Sequence, residues 1–209
     1  MLSRLESAPR WARPALGVLV AVLLLSLAFV AGRFYDQLSV PGDDSPEAGF
    51  ARDMSTHHSQ AVGMAMIAYQ KATHVEVITQ AYKIATGQQY QIGVMSDWLD
   101  QWHDSQTSTR PAMSWMPNGS KELSPDGLMP GMAVAAEMDQ LRNAKGKQVD
   151  ILFCQLMIRH HLGGIHMIDG LLAVSHNEQV RTLAKRMKAT QGNEVEGLQR
   201  LLEQLNKEP

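Results

Sequence analysis

The chain has 209 residues and a formal charge of −2, with eight histidines, 13 methionines and a single cysteine, Cys154. A charge this close to neutral excludes nucleic acid and acidic membrane surface as general partners. One cysteine excludes an intramolecular disulfide, so the fold must stand on packing.

The N-terminus carries a membrane signal. Arg4, Arg10 and Arg13 precede an uncharged apolar run from Pro14 to Gly32, close to the ~20 residues a helix needs to span a bilayer. Positive charge is denser before the run than after it, where Arg33 is soon followed by Asp36, Asp43 and Asp44. The positive-inside rule then leaves residues 1–13 in the cytoplasm and puts everything beyond Gly32 outside, periplasmic or extracellular. A cleaved signal peptide is the rival: Ala28, Ala31 and Gly32 suit it, whereas Phe29 interrupts the best Ala-x-Ala frame. No cysteine follows the run, which excludes a lipoprotein anchor. The preferred reading is an uncleaved single-pass anchor over 14–32, joined by a polar tether over 33–45 to a domain over 46–209.

Beyond the tether, roughly 165 residues remain, about one domain's worth. Ser45 and Pro46 form a helix start, a capping hydroxyl before proline at the first helical position, and the helix should run to about Lys71. Thr73 with Glu76 reads as a capping box opening a second helix, which carries Val77, Ala81, Ile84, Ile92, Met95, Leu99 and Trp102 at helical spacing. Residues 104–147 hold Pro111, Pro117, Gly119, Pro125, Gly127 and Pro130, an irregular crossover, with a short helix expected over Met132–Ala144. A third helix should span about Gln148–Val174. Ser175 with Glu178 repeats the capping box before a fourth helix that closes near Leu205. Nothing reads as a strand. Two hairpins, 46–103 and 148–206, each unable to bury its apolar face alone, should pair as one antiparallel four-helix bundle.

The two hairpins share a pattern. Phe50, Met54, His57, His58, Ala61 and Met64 recur as Phe153, Met157, His160, His161, Gly164 and Met167, always 103 positions on. The offset continues through Ala81 and Ala184, Ile84 and Met187, Gln88 and Gln191, Gln91 and Glu194, and Leu99 and Leu202. An unbroken register over two helices is what a tandem duplication leaves. Positions 50, 54, 57, 61 and 64 step by four and three, one stripe facing the core. Met54 and His57 therefore share a face, as do Met157 and His160, while His58 and His161 lie about 100° further round. If the hairpins pack about a pseudo-twofold axis, four imidazoles meet two to four thioethers. Imidazole suits copper, zinc, iron and nickel, and thioether sulfur favours Cu(I).

Blander readings stand beside this one. Core histidines are usually satisfied by hydrogen bonds, and methionine on an apolar stripe is usually filler. Repetition of His-His with Met three before and seven after the first histidine favours ligands at these positions. Met66, Met95, Met138 and Met187 are assigned to the core, His74, His103 and His176 to solvated helix ends, and His166 to a secondary candidacy. Cys154 reads as a buried inert thiol. In the crossover, Met113, Met116, Met129 and Met132 cluster with Trp115, either packing over the bundle end or offering soft donors.

The chain resembles the family catalogued as domain of unknown function 305. The resemblance rests on Asp53-Met54-Ser55-Thr56-His57-His58, Ala61-Val62-Gly63-Met64-Ala65, Met95-Ser96-Asp97-Trp98-Leu99, Met129-Pro130-Gly131-Met132 and Leu156-Met157-Ile158-Arg159-His160-His161. It implies a ferritin-like four-helix bundle, usually exported, with copper binding and resistance in some members. Carried over by position, the implied metal residues are Met54, His57, His58, Met157, His160 and His161, then Met64 and Met167. The chain departs from the family pattern at Gln91, where an acidic residue is common, and at Gly164, often alanine.

Catalysis has little support. Glu76, Glu137, Glu178 and Glu194 lack the histidine three residues on that ferritin-like di-iron sites use, and no Gly-x-Ser-x-Gly is present. The expected function is therefore extracytoplasmic metal binding on a membrane anchor. Copper is foremost and another transition metal second, for sequestration or for delivery to a receiving protein or membrane complex. The alternative is an accessory subunit of a membrane complex, such as a respiratory one, whose histidines are structural.

Overall fold

The computed structural model describes residues 12–38 and 40–207; the arginines at 4 and 10 that set the expected topology lie outside them. Six α-helices, one 3₁₀ turn and no strand occur among the described residues. They are α1 (Ala12–Leu38), α2 (Pro46–Lys71), α3 (Val75–Gln101), α4 (Ala135–Asn143), α5 (Lys147–Val174) and α6 (Glu178–Lys207).

The chain divides into two units at Val40 and Pro41. In the first, α1 contains the apolar span Pro14–Gly32, long enough to cross a membrane, with its side chains exposed. It fits a signal anchor or a transmembrane span. The helix runs on to Leu38, so part of the segment expected as tether is helical.

The second unit is the bundle. The α2–α3 hairpin packs against the α5–α6 hairpin chiefly through α2 and α5, while α3 and α6 touch only sparingly. Ser45 caps α2 as expected, its Oγ accepting from the Ala48 amide at 3.1 Å with Pro46 in the first turn. The other two capping expectations need correction. His74, not Thr73, caps α3, its Nδ1 accepting from the Glu76 amide. Thr73 instead gives its amide and hydroxyl to buried Asp150 of α5, which also accepts from the His74 amide. Asn177, not Ser175, accepts from the Val180 amide at the start of α6, and Ser175 turns inward to donate to Glu47. In both cases the hydroxyl finds a tertiary acceptor that a local pattern does not reveal. The short helix α4 begins at Ala135, after Gly131 takes φ +79°.

The core has two apolar compartments. One gathers Ala61, Met64, Ala65, Ala68, Ala81 and Ile84 with Phe153, Cys154, Met157, Leu198 and Leu201. The other gathers Phe50, Met54, Met95, Leu99, Met167, Leu171, Ala184 and Met187 with Met113, Met116 and Met129 of the crossover. The crossover methionines therefore pack over one end of the bundle. Met95 and Met187 are core as expected, but Met66 is 42% exposed, off the buried stripe. Between the compartments lies a polar layer.

Asp150 ties the α2–α3 turn to α5, so its loss leaves several partly buried donors without an acceptor. Asp150→Ala should lower unfolding free energy by about 2–3 kcal/mol. Asp139→Ala, on the surface, should stay within about 0.5 kcal/mol in the same denaturant titration.

Candidate metal centre

The polar layer follows from the stripe. His57 and His160 project from the middle of α2 and α5 toward each other, and their ring centroids lie 3.8 Å apart with planes tilted by 34°. His161 stands beside His160, centroid to centroid 6.4 Å. All four histidines are at most 1% exposed. The small residues of the repeat make room for them: a side chain at Gly164 would begin 3.3 Å from His57 Cε1.

The four do not form a single four-imidazole cluster. His58 turns to α3, where its Nε2 lies 2.7 Å from Gln91 Oε1. His161 turns to α6, where its Nε2 lies 2.8 Å from Glu194 Oε2. Among the described residues, no group of three or more His, Cys, Asp or Glu side chains is arranged to hold a metal ion. The donors on offer are imidazoles and thioethers together. Met54 and Met157 sit one turn before His57 and His160 on the same faces, and Met64 and Met167 lie further along; all four are fully buried.

Hydrogen bonding fixes which nitrogen each ring offers. A carbonyl oxygen and an ionised carboxylate only accept, so a neutral imidazole facing one must donate. His57 donates from Nε2 to the Pro130 carbonyl at 3.0 Å. His58 donates to the amide oxygen of Gln91, and His161 in its neutral form to Glu194. Each ring then carries its lone pair on Nδ1, and no Nδ1 of the three has a hydrogen-bond partner. His160 has none on either nitrogen. Five unpartnered nitrogens at about 1–3 kcal/mol each weigh heavily against a net stability of about 5–15 kcal/mol. A neutral lone pair held in place by an acceptor on the opposite ring nitrogen is the usual arrangement behind a metal-ligating histidine. The donor set thus fits a soft or borderline cation.

Three of the four rings are held neutral by burial. Burial drives the His57 pKa down to about 4, against the Pro130 bond, and the His58 pKa down to about 3, with His57 adding to the effect. Burial and the neighbouring His57, His161 and His58 hold His160 well below its ordinary value. A weak contact with the His57 backbone acts in the opposite sense but makes no hydrogen bond. All three are neutral at pH 7 and ready to coordinate.

The crossover closes one side of the layer, a feature the sequence did not expose. Gln60 grips Ala133 in both directions, accepting from its amide at 2.7 Å and donating to its carbonyl at 2.9 Å. Arg159 pairs with Glu137, which also accepts from the Val134 amide. Gly131 and Gly163 let backbones meet: a Cβ on Gly131 would strike the Arg159 carbonyl, and one on Gly163 the Pro130 carbonyl that holds His57. Further along, half-buried Asp53 accepts from the Met113 amide at 2.6 Å and from Trp115 Nε1 at 2.7 Å.

The remaining candidates fall away from the layer. His166 pairs with Glu122 on the surface. Cys154 is buried, and burial beside Asp150 pushes its thiol up to about 12, which leaves it inert.

An all-α bundle with two matched His-His pairs in one buried layer is the class of protein these features define. The family profile described as domain of unknown function (DUF305) matches residues 47–202, and the chain belongs to that family. A DUF305 crystal structure from Streptomyces coelicolor is 39% identical, over 79% of this chain and 96% of that one, with TM-score 0.71. A DUF305 fragment from Deinococcus radiodurans is 27% identical, over 78% and 99%, with TM-score 0.66. CopM in its Cu(II)-bound form is 25% identical, over 77% and 97%, with TM-score 0.57; its Cu(I)-bound form aligns equally well. No curated protein matches.

Two predictions follow from the layer. In the metal-free protein, His57 and His58 keep folded-state pKa values below the ~6.5 of the unfolded chain. The unfolded state therefore binds more protons between those values, and stability falls as pH drops from about 6.5 toward 4. The double variant His57→Gln/His58→Gln should flatten that slope in urea titrations across the window. Separately, Gly163→Ala should destabilise by about 1–3 kcal/mol through overpacking against Pro130. Gly192→Ala, in a helix interior whose Cβ meets nothing within 4 Å, should stabilise by up to about 1 kcal/mol in the same measurement.

Proposed function

We propose that this protein is a membrane-anchored, extracytoplasmic copper-binding protein that sequesters or delivers the ion through the histidine–methionine layer. The observation that carries the reading is the set of buried Nδ1 lone pairs on His57, His58 and His161, each aimed by a hydrogen bond on the opposite ring nitrogen. His160 adds an imidazole without any partner, and Met54, Met157, Met64 and Met167 add thioether sulfur from both sides. Copper bound there is read as cargo, to be held and passed on. Copper-bound forms of CopM, at 25% identity, support copper over other borderline metals. The matched half-sites are read as the product of a duplication, and α1 as an uncleaved anchor placing the bundle outside the cytoplasm.

Replacing His57, His58, His160 and His161 by glutamine tests it. Glutamine keeps polarity and hydrogen-bonding capacity, so helix content by circular dichroism should be largely retained. Cu(I) affinity in chelator competition should fall by more than the roughly 100-fold that loss of an outer partner alone produces. Because burial keeps His57 and His58 neutral well below pH 6.5, their share of the wild-type affinity should hold through mild acid, unlike an exposed histidine site. Copper should also raise the wild-type unfolding temperature by mass action and leave the variant's unchanged. Equal affinity in both proteins would return the histidines to the structural role of an accessory subunit.

A further inference from the structure

The layer has a second polar feature that the histidines do not use. Gln88 on α3 and Gln191 on α6 are 4% and 3% exposed, and in each the amide oxygen and nitrogen lack a hydrogen-bond partner. The two residues are equivalents in the 103-residue register. Both line a narrow cleft between α3 and α6, together with Gln91 and Glu194, the partners of His58 and His161. Exposed Gly87 and Thr190, themselves equivalents, stand at its mouth. At its inner end the Gln191 amide reaches the backbone of α5: a Cβ on Gly164 would lie 2.6 Å from Gln191 Oε1 and 3.3 Å from His57 Cε1. The cleft therefore runs from solvent past four polar side chains to Gln191, and only the Gly164 position separates that amide from the His57 ring.

Resting on the metal-binding reading above, we propose that this cleft is the port through which the ion reaches the histidines, with the amide oxygens of Gln88 and Gln191 as transit ligands. A buried amide without a partner costs about 1–3 kcal/mol, and a matched pair facing one cleft offers two oxygen donors to a passing cation. Oxygen binds a soft cation less firmly than imidazole or thioether does. Weak binding suits a transit site, because passage requires that the ion can leave as well as enter. The opposite face has a roomier cleft, lined by Leu128, Met129, Pro130 and Met132, but the crossover backbone stands between it and the histidines. There the Pro130 carbonyl accepts from His57 Nε2 and presses on Gly163, while Gln60 pins the crossover above them. The sparse contact between α3 and α6 leaves the cleft of Gln88 and Gln191 open between them.

A plug at the mouth tests the port. Gly87→Phe/Thr190→Phe adds bulk at two exposed positions, and a Cβ on Gly87 meets nothing within 4 Å, so the bundle should fold; circular dichroism checks this. The full chain in detergent is mixed with Ag(I), a closed-shell soft ion that avoids oxidation, and uptake and release to a chelator are followed by stopped flow. The plug should slow both rates by about tenfold or more while the dissociation constant stays within about threefold. Leu128→Trp, at the crossover face, should leave both rates unchanged. Unaltered rates in the plugged protein would overturn the port while leaving the metal site standing. So would slowing confined to Leu128→Trp. Absence of silver binding by the wild type would overturn the metal reading and the port together.

Discussion

The bundle is organised by the desolvation of four imidazoles at the contact of α2 and α5. Buried polar groups without partners are expensive, and their presence splits the core into two apolar compartments. The rest of the second unit can be understood as a response. The outer helices α3 and α6 bring Gln91 and Glu194 to the second histidine of each pair. The crossover brings the Pro130 carbonyl to His57. The two apolar compartments, roughly equal in make-up, supply the burial that lets the fold tolerate the layer.

The repeat is matched in position but not in partners, and the crossover is where it breaks. Gln60 and Gly163 are equivalents in the register, yet one clamps the crossover by its side chain and the other admits it by having none. One strand of irregular chain can cover only one side of a twofold layer, so the two positions diverged in opposite senses. The same break leaves His57 with a backbone acceptor and His160 without any partner. Gln91 and Glu194 differ for the outer pair: a carboxylate strengthens the donor power of its histidine more than an amide does. The second half of the layer thus sets a carboxylate behind His161, and the first sets a backbone carbonyl behind His57.

Much of this was legible in the sequence because it is local and periodic. The stripe of Phe50, Met54, His57, Ala61 and Met64, and its echo from Phe153 to Met167, carries the helix faces and the register of the bundle. The Ser45–Pro46 start is legible for the same reason, since cap and proline act on adjacent residues. What failed to show is what depends on a second chain segment. Thr73 and Ser175 look like caps, but Asp150 and Glu47, far along the chain, claim their hydroxyls. The turning of His58 and His161 toward the outer helices was not legible either. Residues 100° off a shared stripe face the neighbouring helix, and the acceptors on α3 and α6 could be placed only by packing. The path of the crossover was invisible, because glycine at 131 and 163 signals close approach without naming what approaches.

Antiparallel packing explains where the methionines fall. With α2 and α5 running in opposite directions about the His57–His160 contact, a residue before the histidine on one helix meets the level of one after it on the other. Met54 and Met167 accordingly share one compartment, and Met64 and Met157 share the other. A single pattern, methionine three before and seven after the histidine, thus lays two thioethers on each side of the imidazole layer once it is repeated and inverted. Had the hairpins packed in parallel, the same sequence would have put Met54 level with Met157 and left the layer flanked unevenly. The spacing of sulfur around nitrogen follows from the direction of the helices as much as from the residues themselves.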